Sequence, residues 1–252
     1  MPASINPSPV PRERDLLGQT VVMIGGSSGI GLETARLARA RGAAVILTAR
    51  EPDRLHRVGL ELGASIAAFD ATDFGRLGRF FDALPAPIDH LLVTGPGPHY
   101  VPPTGFDLDA ARRDIDARLL LPLQVARHGA GKIRPGGTLL FTGCTGGRRT
   151  AAGLAFAAAL EAALPAMTKS LALEVAPVRV NLIAAGFTGT PLPDSLPGDG
   201  IGELREQLGI TLPIGRVVGP ADIAALAVHL MTNTAVTGAT FDIDGGQQLI
   251  GK

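Results

Sequence analysis

The sequence predicts an α/β domain built on a mostly parallel sheet with helices on both faces. Three observations predict it. Short β-branched runs, apolar almost throughout, recur along the chain. Longer Ala- and Leu-rich segments separate them, the pattern of repeated βα units. The first of the runs empties into a glycine-rich turn that opens a helix.

Strands are expected at 20–24, 44–48, 65–69, 90–93, 138–142, 178–183 and 239–243. Their apolar character on both sides of the pleat suits strands covered by helices above and below. Helices are expected near 30–41, 74–84, 107–131, 151–174 and 220–231. Pro220-Ala221-Asp222 opens the last one, with proline in the first turn and an acid near the positive helix end. Two stretches break the rhythm. Residues 94–104 (TGPGPHYVPPT) are too rich in Gly and Pro for regular structure. Residues 187–213 carry Pro191, Pro193, Pro197 and Pro213, with a short helix near 201–208. Loops of that length in a compact domain are functional or mobile. The chain reads as a flexible Pro-rich tail over 1–16 and one domain over 17–252, with no internal repeat.

Composition excludes several functions. Of 252 residues, 46% are apolar and 18% charged, so a disordered chain is not expected. Lys+Arg and Asp+Glu balance at 23 each, which leaves no basic field for nucleic acid or an anionic membrane. The single cysteine, Cys144, allows no internal disulfide and fits a reducing compartment. No uninterrupted apolar run approaches the roughly 18 residues that span a bilayer. The opening MPASINPSPVPRERD lacks the apolar core of a signal peptide, so a cytoplasmic location is expected. His56, His90, His128 and His229 have no metal-ligand spacing, and no metal site is expected.

The glycine-rich turn is Gly25-Gly26-Ser27-Ser28-Gly29-Ile30-Gly31, followed by the amphipathic segment LETARLARARG. Glycines without a Cβ permit a tight turn and let a pyrophosphate approach the backbone, and the free N–H groups of the new helix then face that anion. Its place between a first strand and a first helix is what raises the motif to a nucleotide site.

This turn resembles the cofactor turn of the short-chain dehydrogenase/reductase family, with Ile24 in place of the usual leading threonine. Phe69-Asp70-Ala71-Thr72-Asp73 resembles the stretch that brackets the adenine ring. Val178-Arg179-Val180-Asn181 with Gly186-Phe187-Thr188-Gly189-Thr190-Pro191 resembles the segment closing over the nicotinamide, although Ala185 stands where proline is usual. Ile214-Gly215-Arg216 and Asp242-Ile243-Asp244-Gly245-Gly246 resemble the C-terminal part. The resemblance covers roughly 18 to 250. It implies a Rossmann-type, doubly wound, seven-stranded sheet, a nicotinamide cofactor, a carbonyl or alcohol substrate under the 187–213 loop, and a homodimer or homotetramer. The cofactor-contacting positions it implies are Gly25, Ser27, Ser28, Gly29, Ile30, Gly31, Arg50, Asp70, Ala71, Gly95, Gly186 and Thr188.

Arg50 follows the second strand at the point that decides between cofactors. An acid there favours the ribose 2′-OH of NAD, whereas an arginine suits the 2′-phosphate. Arg50 therefore favours NADP(H) over NAD(H). Glu51 and Asp53 follow closely, and pairing with them is the competing explanation.

In this family a tyrosine handles the proton at the substrate oxygen. A lysine four residues later lowers its pKa and holds the nicotinamide ribose, and a serine about thirteen residues earlier polarises the carbonyl. Aligning through Met167-Thr168-Lys169-Ser170-Leu171-Ala172 puts Ala157 at the tyrosine position, Glu161 at the lysine position and Cys144 at the serine position. The only tyrosine in the chain is Tyr100. The family's asparagine falls on Ala117 or Arg118, and its Asn-Asn-Ala-Gly becomes Thr94-Gly95-Pro96-Gly97. Glu161 cannot depress an acid's pKa as lysine does, but it can accept hydrogen bonds from ribose hydroxyls.

Substitutes are available near the same edge. His99 and Tyr100 can supply a proton, Arg148 and Arg149 can stabilise an oxyanion, and Cys144 offers a weak S–H donor or a thiolate. Each has a plainer explanation as loop surface, solvated charge or a small buried hydrophobe. Two functions are therefore open: an NADP(H)-dependent oxidoreductase with atypical catalytic residues, and a catalytically silent cofactor-binding relative acting as a sensor or partner. Small residues Ala157, Ala158, Ala159, Ala162 and Ala163 on the 151–174 helix suit close approach of a second helix, or simply good helix propensity.

Overall fold

The computed structural model describes residues 15–97, 99, 102–148, 152–188 and 198–250. Seven strands form one sheet in the order β3-β2-β1-β4-β5-β6-β7, and every pairing is parallel. They are β1 (Thr20–Ile24), β2 (Ala44–Ala49), β3 (Ser65–Ala68), β4 (Ile88–Val93), β5 (Ile133–Cys144), β6 (Arg179–Ala185) and β7 (Thr240–Ile243). Each lies where the apolar runs place it, and the sheet is parallel throughout.

Alternation along the strands divides the core into two layers. Val22 and Ile24 of β1 join Leu91, Leu139 and Val180 beneath α3 (Phe74–Ala83), α5 (Leu121–Gly129) and α6 (Ala155–Glu174). Val21 and Met23 point the other way, with Leu47, Leu92 and Ile183, beneath α1 (Gly29–Ala40), α2 (Pro52–Leu62) and α8 (Pro220–Thr232). The fold is therefore doubly wound. The chain reverses its direction across the sheet between β1 and β4, which opens a crevice at their carboxyl ends.

Three elements differ from expectation. Helix α2 was not anticipated, because its eleven residues include a glycine and few apolar side chains. Its signals are nonetheless present: Pro52 at the first turn, Leu55 and Val58 on the buried face, and Gly63 as a left-handed cap. The 107–131 helix is divided into α4 (Leu108–Ile115), a π-helical segment Asp116–Leu120, and α5. The supposed short helix near 201–208 is the longer α7 (Gly198–Thr211). Ordered packing starts before position 17, since Leu16 is buried and Asp15 pairs with Arg41 at 2.9 Å. Among the described residues, α6 alone is long enough and of high enough mean hydropathy to cross a bilayer, which Glu161 and Lys169 conceal in the sequence. It packs one face against β5 and β6.

Arg179 and Asn181, read from the sequence as part of a segment over the nicotinamide, hold the opposite end of the sheet. The Arg179 guanidinium donates to the carbonyls of Gly136 (3.0 Å), Leu230 (2.7 Å), Met231 (2.8 Å) and Asn233 (2.9 Å), closing the carboxyl end of α8. Asn181 bonds Val236 and Ala239.

Near that end, His90 is buried with Nε2 2.6 Å from Gln19 Oε1. Burial first, then the Arg179 and Arg134 charges, push its pKa down to about 3. An unfolded imidazole titrates near 6.5. Between about 6.5 and about 3 the unfolded chain therefore binds a proton that the folded chain refuses, and stability falls with pH at up to ~1.4 kcal/mol per unit. From pH 7 to pH 5, urea unfolding is expected to show a loss of roughly 2 kcal/mol attributable to this residue. That component should disappear in His90→Gln. An equal pH slope in both proteins would show that His90 is not its source.

Candidate active site and cofactor-binding edge

The turn from β1 to α1 is shaped by close backbone approach. Gly25 adopts φ +90°, and a Cβ there would lie 2.5 Å from Thr94 Oγ1; a Cβ on Gly31 would lie 2.1 Å from the Gly25 carbonyl oxygen. Thr94, at the end of β4, donates its hydroxyl to the Gly25 carbonyl at 3.0 Å and so fixes the turn. At the start of α1 the Ser28 side chain caps no backbone group, and no acidic residue occupies the first turn. Unsatisfied N–H groups, a positive helix end and no competing carboxylate fit the pyrophosphate of a dinucleotide. Gly31→Ala should therefore weaken NADPH binding about tenfold or more, read by fluorescence titration. Unchanged affinity would mean that the turn is not the phosphate site.

The other expected contacts assemble along the same edge. Arg50 follows β2 and is exposed; among the described residues it forms no ion pair with Glu51 or Asp53. Asp70 follows β3 and accepts from the Thr72 N–H (2.9 Å) and hydroxyl (2.8 Å), with Ala71 beside it. Gly95 follows β4 and is open, with nothing within 4 Å of a built Cβ. Gly186 and Thr188 follow β6, where the Gly186 N–H bonds the Ile243 carbonyl at 3.1 Å. All twelve expected cofactor residues thus lie just beyond the carboxyl ends of β1–β4 and β6.

Beside them, the end of β5 and the first turns of α6 form a buried polar centre. Arg118 and Glu161 make a direct ion pair, both nearly sequestered from solvent at 8% and 5% exposure. The second Glu161 oxygen accepts the Cys144 N–H at 2.6 Å. Arg118 also donates to the Pro96 carbonyl at 2.7 Å. The π-helical segment turns Arg118, not Ala117, towards α6. Ala157 is buried one turn before Glu161. The carboxylate read as a possible ribose acceptor already serves these protein groups.

His99 lies on the loop after β4. Its ring Nδ1 is 2.8 Å from Asp114 Oδ1, and its backbone N–H donates to Asp114 Oδ2 at 3.0 Å. The carboxylate only accepts, so Nδ1 carries the proton and Nε2 is left for another partner. The His99 side chain is 42% exposed whereas Asp114 is buried. Both line a cavity of about 60 Å³ with Phe106, Ala111 and Phe156, the two rings meeting edge to face at 5.4 Å. Asp114 and Phe106 were not singled out from the sequence; Asp114 follows His99 by fifteen residues, and only the packing of α4 on the loop reveals the pair. Tyr100 and Arg149 lie outside the described residues. Among those described, no group of three His, Cys, Asp or Glu side chains is arranged to hold a metal ion.

A family model described as enoyl-(acyl carrier protein) reductase matches residues 25–248. The chain belongs to the short-chain dehydrogenase/reductase family. A short-chain dehydrogenase/reductase ATR9 of Stachybotrys chlorohalonatus is 28% identical over 91% of this chain and 96% of its own. A cyclic-di-GMP-binding biofilm dispersal mediator protein of Escherichia coli K12 is 30% identical, covering 90% and 96%. Among solved structures, a small-chain dehydrogenase in complex with NADPH is 28% identical, with a TM-score of 0.78 over 92% of this chain and 99% of that one. Membership in the short-chain dehydrogenase/reductase family accounts for the glycine turn, the sheet order and the edge on which the expected cofactor residues gather.

Proposed function

We propose that this chain is an NADP(H)-dependent short-chain oxidoreductase acting on a carbonyl or alcohol, with proton supply moved from α6 to His99. At the family's proton-handling positions stand Ala157 for tyrosine, Glu161 for lysine, Cys144 for serine and Arg118 for asparagine. The observation that carries the reading is the His99–Asp114 pair at the carboxyl edge of the sheet. The β1–α1 turn, Arg50 and the residues after β3 and β6 would hold a nicotinamide dinucleotide at this edge, and it would supply or take the hydride. In the reductive direction the doubly protonated ring of His99 gives its Nε2 proton to the substrate oxygen and keeps the one on Nδ1, which Asp114 orients; in the oxidative direction the Nδ1–H ring takes the proton at Nε2. Phe106 and Phe156 line the same cavity as His99 and give it an apolar side. Arg50, exposed and without a protein counter-charge among the described residues, supports the preference for the 2′-phosphate, as does the NADPH complex of a structural relative.

A second reading, a catalytically silent cofactor-binding sensor or partner, is favoured by the Arg118–Glu161 pair, which has no proton to exchange, and by the E. coli relative named for binding cyclic-di-GMP. Incubating the chain with NADPH and a panel of aldehydes and ketones separates the two. Turnover supports the oxidoreductase; NADPH binding without turnover supports the sensor; failure of both NADPH and NADH to bind sinks both.

Assembly as a homodimer or homotetramer is part of the proposal. Its support is the outward stripe Ala155, Ala159, Ala162 and Ala166 on α6, small enough for a second helix to pack closely. Light scattering behind size exclusion tests it, and a strict monomer rejects it. A reducing, cytoplasmic setting is proposed on the nicotinamide chemistry and the lone cysteine.

A further inference from the structure

Two side chains one helical turn apart grip the same loop. From the wall formed by α4 and the π-helical segment, Asp114 takes both the backbone N–H and the imidazole of His99, while Arg118 donates to the carbonyl of Pro96. Glu161 then braces Arg118 from α6, and its other oxygen fastens Cys144 at the end of β5. The π-helical segment and the end of β5 therefore meet on one carboxylate, and Arg118 carries that link on to the loop. Burying two charges costs desolvation that their attraction roughly offsets, so such a pair contributes geometry more than stability.

We infer that Arg118 and Glu161 are positioning residues: by fixing the loop after β4 they hold the imidazole of His99 against Asp114 with Nε2 turned to the crevice. This rests on the proposed role of His99, but it can be read without any reaction. The guanidinium has the reach and the paired donors to bridge Pro96 and Glu161 at once, which a side chain without N–H donors at 118 cannot do. Asp114 alone anchors the loop only at His99, leaving Pro96 and the glycines on either side of it unsecured.

The test is ¹⁵N NMR of histidine-labelled full-length protein at a pH where imidazoles are neutral, with His99 assigned from the His99→Gln spectrum. The native chain is expected to show His99 in the Nδ1–H form. The double variant Arg118→Met/Glu161→Met removes both charges together and so avoids a stranded buried ion. It is expected to return His99 to the Nε2–H form of a free side chain and to lower kcat about 10- to 100-fold with a much smaller change in KM. Arg118→Lys, which keeps one charged donor, should retain the Nδ1–H form and most of the activity. An unchanged His99 signal in a folded double variant overturns the inference. So does failure of both the double variant and Arg118→Lys to fold, because the pair would then support the whole domain and not the loop. A tautomer change with no carbonyl turnover in the native chain would leave the clamp standing and reject His99 as donor; loss of activity in His99→Gln with a clamp-independent tautomer would do the reverse.

Discussion

His99→Gln is expected to lower kcat/KM for carbonyl reduction by about 10²- to 10⁴-fold, the contribution of a positioned general acid or base, while NADPH affinity stays close to native. Glutamine nearly preserves the size of the side chain but cannot give up a proton near neutral pH. The expected cofactor-contacting positions lie on the β1–α1 turn and beyond β2, β3 and β6, with only Gly95 sharing the loop of His99, so binding should survive. Asp114→Asn should fall between native and His99→Gln. It keeps a polar group beside Nδ1, but its amide no longer enforces the tautomer that leaves Nε2 facing the substrate. Steady-state kinetics with fluorescence titration of NADPH separates the two effects. Equal loss of activity and of NADPH affinity would place His99 in cofactor binding instead.

Glu161→Ala is expected to destabilise the domain by about 3–5 kcal/mol, because it leaves the buried Arg118 guanidinium without its counter-charge. Arg118→Met should cost a similar amount by stranding the carboxylate. The double methionine variant should cost much less than the sum of Arg118→Met and Glu161→Met, and urea denaturation of these three with the native chain gives the coupling directly. Additive losses would show that the two charges are independently solvated and that the pairing contributes nothing specific. Glu161→Lys, the change towards the lysine that the resemblance implies at this position, is not expected to be a repair. It places a second cation against Arg118 and is expected to be at least as damaging as alanine.

The fold was legible wherever the signal is local. Apolar runs placed all seven strands, and the glycine turn fell between β1 and α1 as expected. Helix α2 escaped because its buried face has only Leu55, Val58 and Gly59, too little to stand out against a polar surround. The catalytic neighbourhood was half legible. Absence of tyrosine from α6 is read directly from the letters, and so is the presence there of Ala157 and Glu161. The partners of Glu161 are not. Arg118 lies 43 residues away, and a π-helical segment shifts its register so that counting at 3.6 residues per turn leaves Ala117 and Arg118 indistinguishable. Asp114 carries no local mark that separates it from Asp109 or Asp116 on the same stretch; only burial against the His99 loop does. Arg179 and Asn181 show the opposite case: the segment resembles one over the nicotinamide, while Arg179 bonds the end of α8 and Asn181 bonds Val236 and Ala239 before β7.

Chemical rescue tests the proton assignment most directly. His99→Gly opens space at a half-exposed site, so added imidazole can enter against Asp114. NADPH-dependent carbonyl reduction should fall to near background in this variant and rise again with imidazole concentration, saturating as the vacancy fills, while the native chain shows no such response. A variant that keeps native turnover without imidazole would contradict proton supply by His99, and so would a dead variant that no concentration of imidazole revives.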